Sequence, residues 1–119
     1  MKIVAVDPEP RELMRLSECI RAITPPGTSV ECFCDSLFAR QYAFHNPVDR
    51  LYALAHMNRL DGIELIEKIR KEQPAMQTYI LWEDEKFRDA AMKAGASGYI
   101  VKPVTSDKLL DAEDEQDGY

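Results

Sequence analysis

The sequence predicts an α/β fold, a doubly wound sheet of five parallel strands with helices on both faces, and three observations carry this prediction. Apolar segments alternate with amphipathic segments along the whole chain of 119 residues, which is typical of parallel strands joined by right-handed helical crossovers. Proline and glycine stand between the segments, where they end helices and start loops. A hydrophobic fraction of 45% is enough to build the core of one domain of this length.

Five short apolar segments are predicted as the strands. The first and the third are almost wholly apolar, as expected for central strands that are buried on both faces. The second segment contains Glu31, and a charge there favours a position at the edge of the sheet. The predicted strands, in chain order, are residues 3–6, 30–34, 51–55, 78–82 and 99–101.

A helix is predicted after each strand, and most of these helices begin with a residue that can cap the first turn. Asp7 is expected to cap the first helix, because its carboxylate can accept an unpaired backbone N–H. Asp61 and Glu64 are expected to form a capping pair at the start of the third helix. The remaining helix starts are predicted at Asp35 or Ser36, at Phe87, and at Thr105 or Ser106.

The chain is predicted to hold one domain, residues 1–112, followed by an acidic tail, residues 113–119. Leu109 and Leu110 are the last clear apolar anchors, and a helix gains most of its stability from tertiary packing. We therefore expect fraying after about Ala112. Residue 119 has no obvious reason to be a natural end, so we expect a chain cut from a longer protein in which an output domain can follow.

Composition and charge argue against several classes of function. The net charge of −6 does not suit a nucleic-acid surface. No apolar run approaches the roughly 20 residues that span a bilayer, and the start of the chain becomes acidic too soon for a signal peptide, so we expect no membrane contact and a cytoplasmic location. The three cysteines are Cys19, Cys32 and Cys34, and their number and spacing suggest neither a disulfide framework nor a metal site.

Two motifs are more specific than these patterns. In the first, Leu54 lies at the carboxyl-terminal part of the third predicted strand, Met57 follows three residues later and the pair Asp61-Gly62 seven residues later. The second runs through the fifth strand as Gly-Ala-Ser-Gly-Tyr-Ile-Val-Lys-Pro, residues 95–103. Together they resemble the CheY-like receiver domain of bacterial response regulators, over nearly the whole chain. The resemblance implies a flavodoxin-like (βα)5 fold with strand order 2-1-3-4-5 and a role in two-component or phosphorelay signal transduction.

The resemblance also implies a phosphorylation pocket at the carboxyl ends of the strands, where ligands bind in such sheets. In the family, an acidic pair after the first strand holds Mg²⁺, an aspartate that ends the third accepts the phosphoryl group, and a lysine followed by a cis proline ends the fifth. Asp7, Lys102 and Pro103 match these positions. Pro8 stands in place of the second acid and Leu54 in place of the acceptor.

These departures predict a degenerate pocket, that is, a pseudo-receiver. A leucine has no oxygen that can accept phosphate, and Mg²⁺ requires several hard oxygen ligands. We therefore expect weak or absent Mg²⁺ binding, no other cofactor, no metal site and no enzymatic activity. The residues of the degenerate pocket are Asp7, Pro8, Leu54, His56 and Lys102. The candidates for switching or partner contact are Trp82, Phe87, Tyr99 and Pro103.

Several of these side chains have a structural as well as a functional interpretation. Asp7 can cap a helix and pair with Lys102, or the two can bind an anion. Leu54 is expected to fill the vacated pocket, and Trp82 can cover that pocket as a lid or anchor a partner. Tyr99 matches the aromatic switch position of the family, but it can equally be a half-buried sheet residue without a switching role.

The leading hypothesis is a signalling module that acts by protein–protein contact without phosphorylation at the usual site. The resemblance places such contacts on the face of the fourth helix, fifth strand and fifth helix, with a second copy, a histidine kinase or a fused output domain as candidate partners. Two alternatives stay open. One is a receiver that accepts phosphate at His56 or Asp61. The other is a small-molecule-binding flavodoxin-like domain, for which residues 7–10 offer few N–H donors.

Overall fold

A computed structural model describes residues 1–117, with the side chains of residues 1–114. The strands of this part are β1 (Lys2–Val6), β2 (Ser29–Phe33), β3 (Arg50–Leu54), β4 (Gln77–Trp82) and β5 (Gly98–Val101). Its helices are α1 (Pro10–Ile23), α2 (Ser36–His45), α3 (Gly62–Glu72), α4 (Arg88–Lys93) and α5 (Ser106–Asp117). None of these helices is long and apolar enough to cross a bilayer.

The strands form one parallel sheet in the order β2-β1-β3-β4-β5, which confirms the predicted fold. Helices α2, α3 and α4 cover one face of the sheet, and α1 and α5 cover the other. β2 lies at an edge, as the charge of Glu31 predicts, and β5 forms the opposite edge. The strand order reverses next to β1, and such a reversal leaves a crevice at the carboxyl ends of the strands.

Two apolar layers hold the helices to the sheet, because successive side chains of a strand point to opposite faces. Val4 and Val6 belong to the layer under α2, α3 and α4, whereas Ile3 and Ala5 belong to the layer under α1 and α5. All four are fully buried. Leu54, the last residue of β3, packs against both layers. Packing on both faces of the sheet therefore holds the ends of the strands, including Leu54, in place.

The first helix is not capped by the residue that the sequence suggests. Glu9 is the N-cap of α1, and its carboxylate accepts the N–H of Arg11 at 3.2 Å. Asp7 instead accepts the N–H of Glu9 at 2.9 Å and forms an ion pair with Lys102. The prediction of Asp7 as the helix cap is wrong, because the ammonium group of Lys102 holds its carboxylate over the sheet.

The third helix also lacks its predicted capping pair. Asp61 is the N-cap residue of α3, but its side chain makes no capping hydrogen bond. The carboxylate accepts the N–H of Met57 at 3.0 Å instead, so the predicted pair with Glu64 is wrong because the loop after β3 engages that carboxylate. The expected cap at Asp35 is confirmed, since its side chain accepts the N–H of Leu37 at 2.9 Å.

Helix α5 is longer than the sequence suggests. It continues to Asp117, whereas the sequence predicts fraying after about Ala112. One physical reason is the ion pair between Glu113 and Arg50 of β3, which gives the second half of the helix a partner on the sheet. The boundary between domain and tail at residue 112 stays a prediction, and residues 118 and 119 lie outside the described residues.

Candidate functional site

The carboxyl ends of the strands bring the predicted pocket residues to one edge of the sheet. Asp7 follows β1, Leu54 ends β3, Trp82 ends β4 and Lys102 follows β5. In sheets of this kind ligands bind at this edge, near the reversal of strand order. Asp7 and Lys102 are thereby neighbours in space, although 95 positions separate them in the chain.

Asp7 and Lys102 form a buried ion pair. Lys102 Nζ lies 2.8 Å from Asp7 Oδ2, with only 4% of the Asp7 side chain and 13% of the Lys102 side chain exposed. The second carboxylate oxygen, Oδ1, accepts the N–H of Glu9. The expected pairing is therefore present, and both oxygens of Asp7 have a donor. This arrangement favours the structural interpretation over an anion site, because the ammonium group already has its counter-ion.

Leu54 puts a hydrocarbon side chain where the family pattern calls for a carboxylate. The side chain is half-buried and packs against the apolar layers on both faces of the sheet. Its backbone carbonyl lies against Gly62 at the start of α3, where an added Cβ would stand 2.2 Å from the Leu54 oxygen. Glycine at position 62 therefore lets α3 begin close to the end of β3.

Three rings lie together at this end of the sheet. Trp82 contacts His56 edge to face, with ring centroids 6.2 Å apart, and contacts Phe87 in the same manner at 5.2 Å. Trp82 and Phe87 are half-buried and pack, like Leu54, against the layer under α2, α3 and α4. The arrangement supports the interpretation of Trp82 as a lid, and its role as a partner anchor stays a prediction.

His56 and Asp61, the two candidates for an alternative phosphate acceptor, contact each other. His56 Nδ1 lies 3.1 Å from Asp61 Oδ1, and 64% of the histidine side chain is exposed. The same oxygen of Asp61 accepts the N–H of Met57. The sequence suggested each residue separately but not their contact, because the path of the loop between them is set by tertiary packing and carries no periodic signal.

Tyr99 is buried rather than half-buried, which corrects one of its two interpretations, and a switching role stays a prediction. Its hydroxyl donates to the carbonyl of Asp84 at 2.7 Å and accepts the N–H of Phe87 at 3.3 Å. A tyrosine can be buried in this way because its hydroxyl keeps hydrogen-bond partners. Burial raises the pKa of Tyr99 above its ordinary value. One side chain thus ties β5 to the loop between β4 and α4.

Pro8 and Pro103 lie at the exposed rim of the site. The Lys102–Pro103 peptide bond is cis, as the resemblance implies. Pro8 borders a crevice of about 160 Å³ between the loops that follow β1, β2 and β3. Its other lining residues are Cys34, Asp35, Ser36, Met57, Asn58 and Arg59. Small-molecule sites usually occupy about 300–1,000 Å³, so this crevice does not favour the small-molecule alternative.

The side chains at this edge do not match a Mg²⁺ site. Mg²⁺ prefers octahedral coordination by carboxylate and water oxygens. Both oxygens of Asp7 already have donors, and Pro8 and Leu54 supply no side-chain oxygen at their positions. Among the described side chains of residues 1–114, no three His, Cys, Asp or Glu side chains cluster in a way that could hold a metal ion. The donor set of the pocket therefore does not fit the ion.

Two proteins of known sequence are similar to this chain. Response regulator MprA from Mycobacterium leprae is 31% identical over 114 residues, which cover 92% of this chain and 48% of MprA. Transcriptional regulatory protein GlrR from Escherichia coli is 34% identical over 70 residues, 57% of this chain and 16% of GlrR. The chain thus spans about half the length of MprA and a smaller share of GlrR.

Solved structures of receiver domains have a similar fold. A response regulator receiver domain protein from Clostridium thermocellum superposes with a TM-score of 0.81 at 26% identity, covering 98% of this chain and 94% of that one. The receiver domain of the sensor histidine kinase PA1611 from Pseudomonas aeruginosa, solved with magnesium in its active-site cleft, gives 0.80 at 20% identity, covering 99% and 98%. The family model for the response regulator receiver domain matches residues 3–114. This chain therefore belongs to the response regulator receiver domain family.

Proposed function

We propose that this receiver domain of two-component signalling acts by protein–protein contact and accepts no phosphoryl group at the usual strand-end position. The observation that carries the proposal is Leu54, which stands where the family pattern calls for the acceptor aspartate. A leucine side chain has no lone pair with which to attack a phosphoryl group. The domain keeps the receiver scaffold, and on this proposal it has no phosphorylation-driven switch and no enzymatic activity.

The surroundings of Leu54 support the proposal. Enzymatic phosphoryl transfer depends on positioning and on charge stabilisation by metal ions and cationic side chains. The positive charge of Lys102 is already balanced by its ion pair with Asp7, and Pro8 supplies no second carboxylate. We therefore infer that Mg²⁺ binds weakly or not at all. Without acceptor and metal, the remaining charge pair serves the stability of the strand ends, which is the expected condition of a pseudo-receiver.

The partner contacts are proposed on the face formed by α4, β5 and α5, with a second copy, a histidine kinase or an output domain as the partner. Tyr99 is buried and Phe87 is half-buried, so these two residues shape the face without projecting from it. Met92 and Leu110 are exposed apolar residues on α4 and α5. They are the side chains of this face that a partner would cover first.

Intact-mass measurement after incubation with Mg²⁺ and acetyl phosphate tests the loss of phosphorylation. We expect the mass of the wild-type chain to stay unchanged, because position 54 offers no nucleophile. A receiver domain that keeps its acceptor aspartate, treated alongside, provides the positive control and gains a phosphoryl group. An added phosphoryl mass on this chain that one substitution abolishes would contradict the proposal.

The Leu54→Asp variant tests how much of the metal pocket remains. We expect no micromolar Mg²⁺ affinity, because Pro8 still withholds the second carboxylate that the ion requires. A Pro8→Asp/Leu54→Asp variant should bind the ion more tightly than the single variant. Binding can be followed by the fluorescence of Trp82, which is the single tryptophan of the sequence. Micromolar affinity in the single variant would mean that other groups complete the pocket.

Phosphorylation at His56 is the second candidate function, and one observation favours it. The contact of Nδ1 with Asp61 orients a largely exposed imidazole, as a nucleophilic histidine needs. Phosphohistidine survives base and is lost in acid, whereas an aspartyl phosphate is lost in base. A base-stable phosphoryl mass that disappears in His56→Ala and persists in His45→Ala, at the other histidine of the chain, would support this candidate.

A further inference from the structure

A groove of about 470 Å³ runs between α2 and α3, on the face of the sheet opposite to α1 and α5. It is lined by Leu37, Arg40, Leu60, Lys68, Lys71 and Glu72. Leu37 is 42% exposed and forms an apolar wall. The groove therefore combines an accessible hydrocarbon surface with cationic side chains at its rim.

The rim of this groove carries net positive charge in a domain whose net charge is −6. The one acid in the lining, Glu72, is paired with Arg40 at 2.8 Å. Lys68 and Lys71 are exposed, and neither makes an ion pair within the described part of the chain. A local excess of one sign of charge attracts a ligand of the opposite sign. The groove thus suits a segment that is both apolar and acidic.

Helix α5 presents a face with this composition. Asp107, Leu110, Asp111 and Asp114 are exposed, and their spacing of three, four and seven places them on one side of the helix. Leu110 is 41% exposed, and no ion pair involves the three aspartates among the residues described. This face of α5 therefore offers one apolar side chain surrounded by unpaired carboxylates. The groove offers the opposite arrangement, in which Leu37 is surrounded by cationic side chains.

We propose that α5 of one copy docks in the α2–α3 groove of a second copy. The two surfaces lie on opposite faces of the sheet, so a domain cannot fill its own groove. Each copy can donate α5 on one side and accept α5 on the other, which makes the contact heterologous and the assembly open-ended. This inference names a partner surface for the contact-based function proposed above and rests on that function.

The association is expected to be weak and sensitive to salt. One helix in a groove buries less than the roughly 1,600 Å² of a standard stable interface. Its electrostatic part weakens as the Debye length falls from about 10 Å at 0.1 M salt to about 3 Å at 1 M. The assembly should therefore appear only at high protein concentration and dissociate when salt is added.

Sedimentation velocity over a concentration series tests the proposal with two charge-reversed variants of the chain. The groove variant is Lys68→Glu/Lys71→Glu, and the helix variant is Asp107→Lys/Asp111→Lys. We expect the average mass of the wild type to rise with concentration, and each variant alone to associate at least about tenfold more weakly. An equimolar mixture of the two variants should associate again, because each supplies the charges that the other lacks.

A matched control separates this contact from a general effect of charge. Arg11→Glu/Arg15→Glu makes the same charge change as the groove variant at exposed positions of α1, outside the groove and outside the α4–β5–α5 face, and should associate like the wild type. Circular dichroism checks that each variant is folded.

A monomeric wild type, a control as weak as the groove variant, or a mixture that stays monomeric would each overturn the proposal. So would an association that the helix variant leaves intact, since another segment would then occupy the groove. The phosphorylation measurement is independent, so a monomeric chain that gains no phosphoryl mass refutes this contact alone.

Discussion

Replacing Lys102 by methionine should destabilise the domain more than any surface substitution, because it leaves a buried charge without its partner. Methionine keeps the length of the side chain and removes the ammonium group. Asp7, with 4% of its side chain exposed, then keeps only the N–H of Glu9 as a donor.

The structure sets the expected size of this effect. Removing one partner of a buried ion pair costs about 3–5 kcal/mol, and the 13% exposure of the Lys102 side chain points to the lower end, about 3 kcal/mol. For a domain of this size, 1 kcal/mol shifts Tm by roughly 4 °C. We therefore expect Lys102→Met to lower Tm by about 12 °C.

A second variant isolates the charge from the packing. In Asp7→Asn/Lys102→Met the amide oxygen at position 7 can still accept the N–H of Glu9, and no charge remains buried. Replacing both members of a buried pair by neutral groups is often close to neutral. The double variant should therefore recover most of the loss and lie within about 1 kcal/mol of the wild type.

Urea denaturation followed by circular dichroism measures the free energy of unfolding of the three proteins. A loss below about 1 kcal/mol in Lys102→Met would mean that Asp7 is solvated or neutral without its partner. A double variant no more stable than the single one would show that Lys102 acts through packing. Either result would refute the interpretation of Asp7 and Lys102 as a buried ion pair.

Three further predictions concern other parts of the fold. Gly62→Ala should destabilise the domain by more than about 2 kcal/mol in urea, because the new Cβ meets the Leu54 carbonyl; an unchanged midpoint would contradict this close approach. Tyr52→Phe should raise the free energy of unfolding by about 1 kcal/mol, because the buried Tyr52 hydroxyl makes no well-aligned hydrogen bond and has only the guanidinium group of Arg50 beside it. Burial raises the Tyr52 pKa to about 12 from 10.0, so the unfolded chain ionises first and the wild type alone should show this loss of stability between these pH values; equal alkaline profiles would refute it. Glu113→Gln should speed hydrogen exchange of the α5 amides about tenfold, because Arg50 loses its charged partner; unchanged exchange would mean that α5 is held by packing alone.

The order of elements could be predicted because hydrophobic periodicity is a local signal. An apolar run such as residues 3–6 identifies a central strand without knowledge of its neighbours, and the charge of Glu31 identifies an edge. The strand ends could be predicted to within one residue, since β2 and β3 end at Phe33 and Leu54, each one residue earlier than the sequence suggests. The positions of Leu54 and Lys102 in the pocket follow from them, since parallel strands end at the same side of the sheet.

The Asp7–Lys102 pair and the Asp35 cap were predicted, but other partners of polar side chains could not be, because several donors compete for each carboxylate. Asp61 precedes α3, yet its carboxylate accepts the N–H of Met57 and makes no capping hydrogen bond. The burial of Tyr99 depends likewise on the loop after β4 folding over its hydroxyl. These contacts exist only after the sheet has formed, and no spacing in the sequence encodes them.

The packing of Leu54 against the layers on both faces of the sheet makes the proposed loss of phosphorylation difficult to reverse. Full burial of a leucine side chain is worth about 1.5–3 kcal/mol, of which the half-buried Leu54 contributes a part, and a whole domain is stable by only about 5–15 kcal/mol. An aspartate at position 54 would lose this apolar packing against both layers. On the proposed function, the aspartate would restore no Mg²⁺ site until a second acid arose at position 8, so this single substitution would lower stability without restoring phosphorylation.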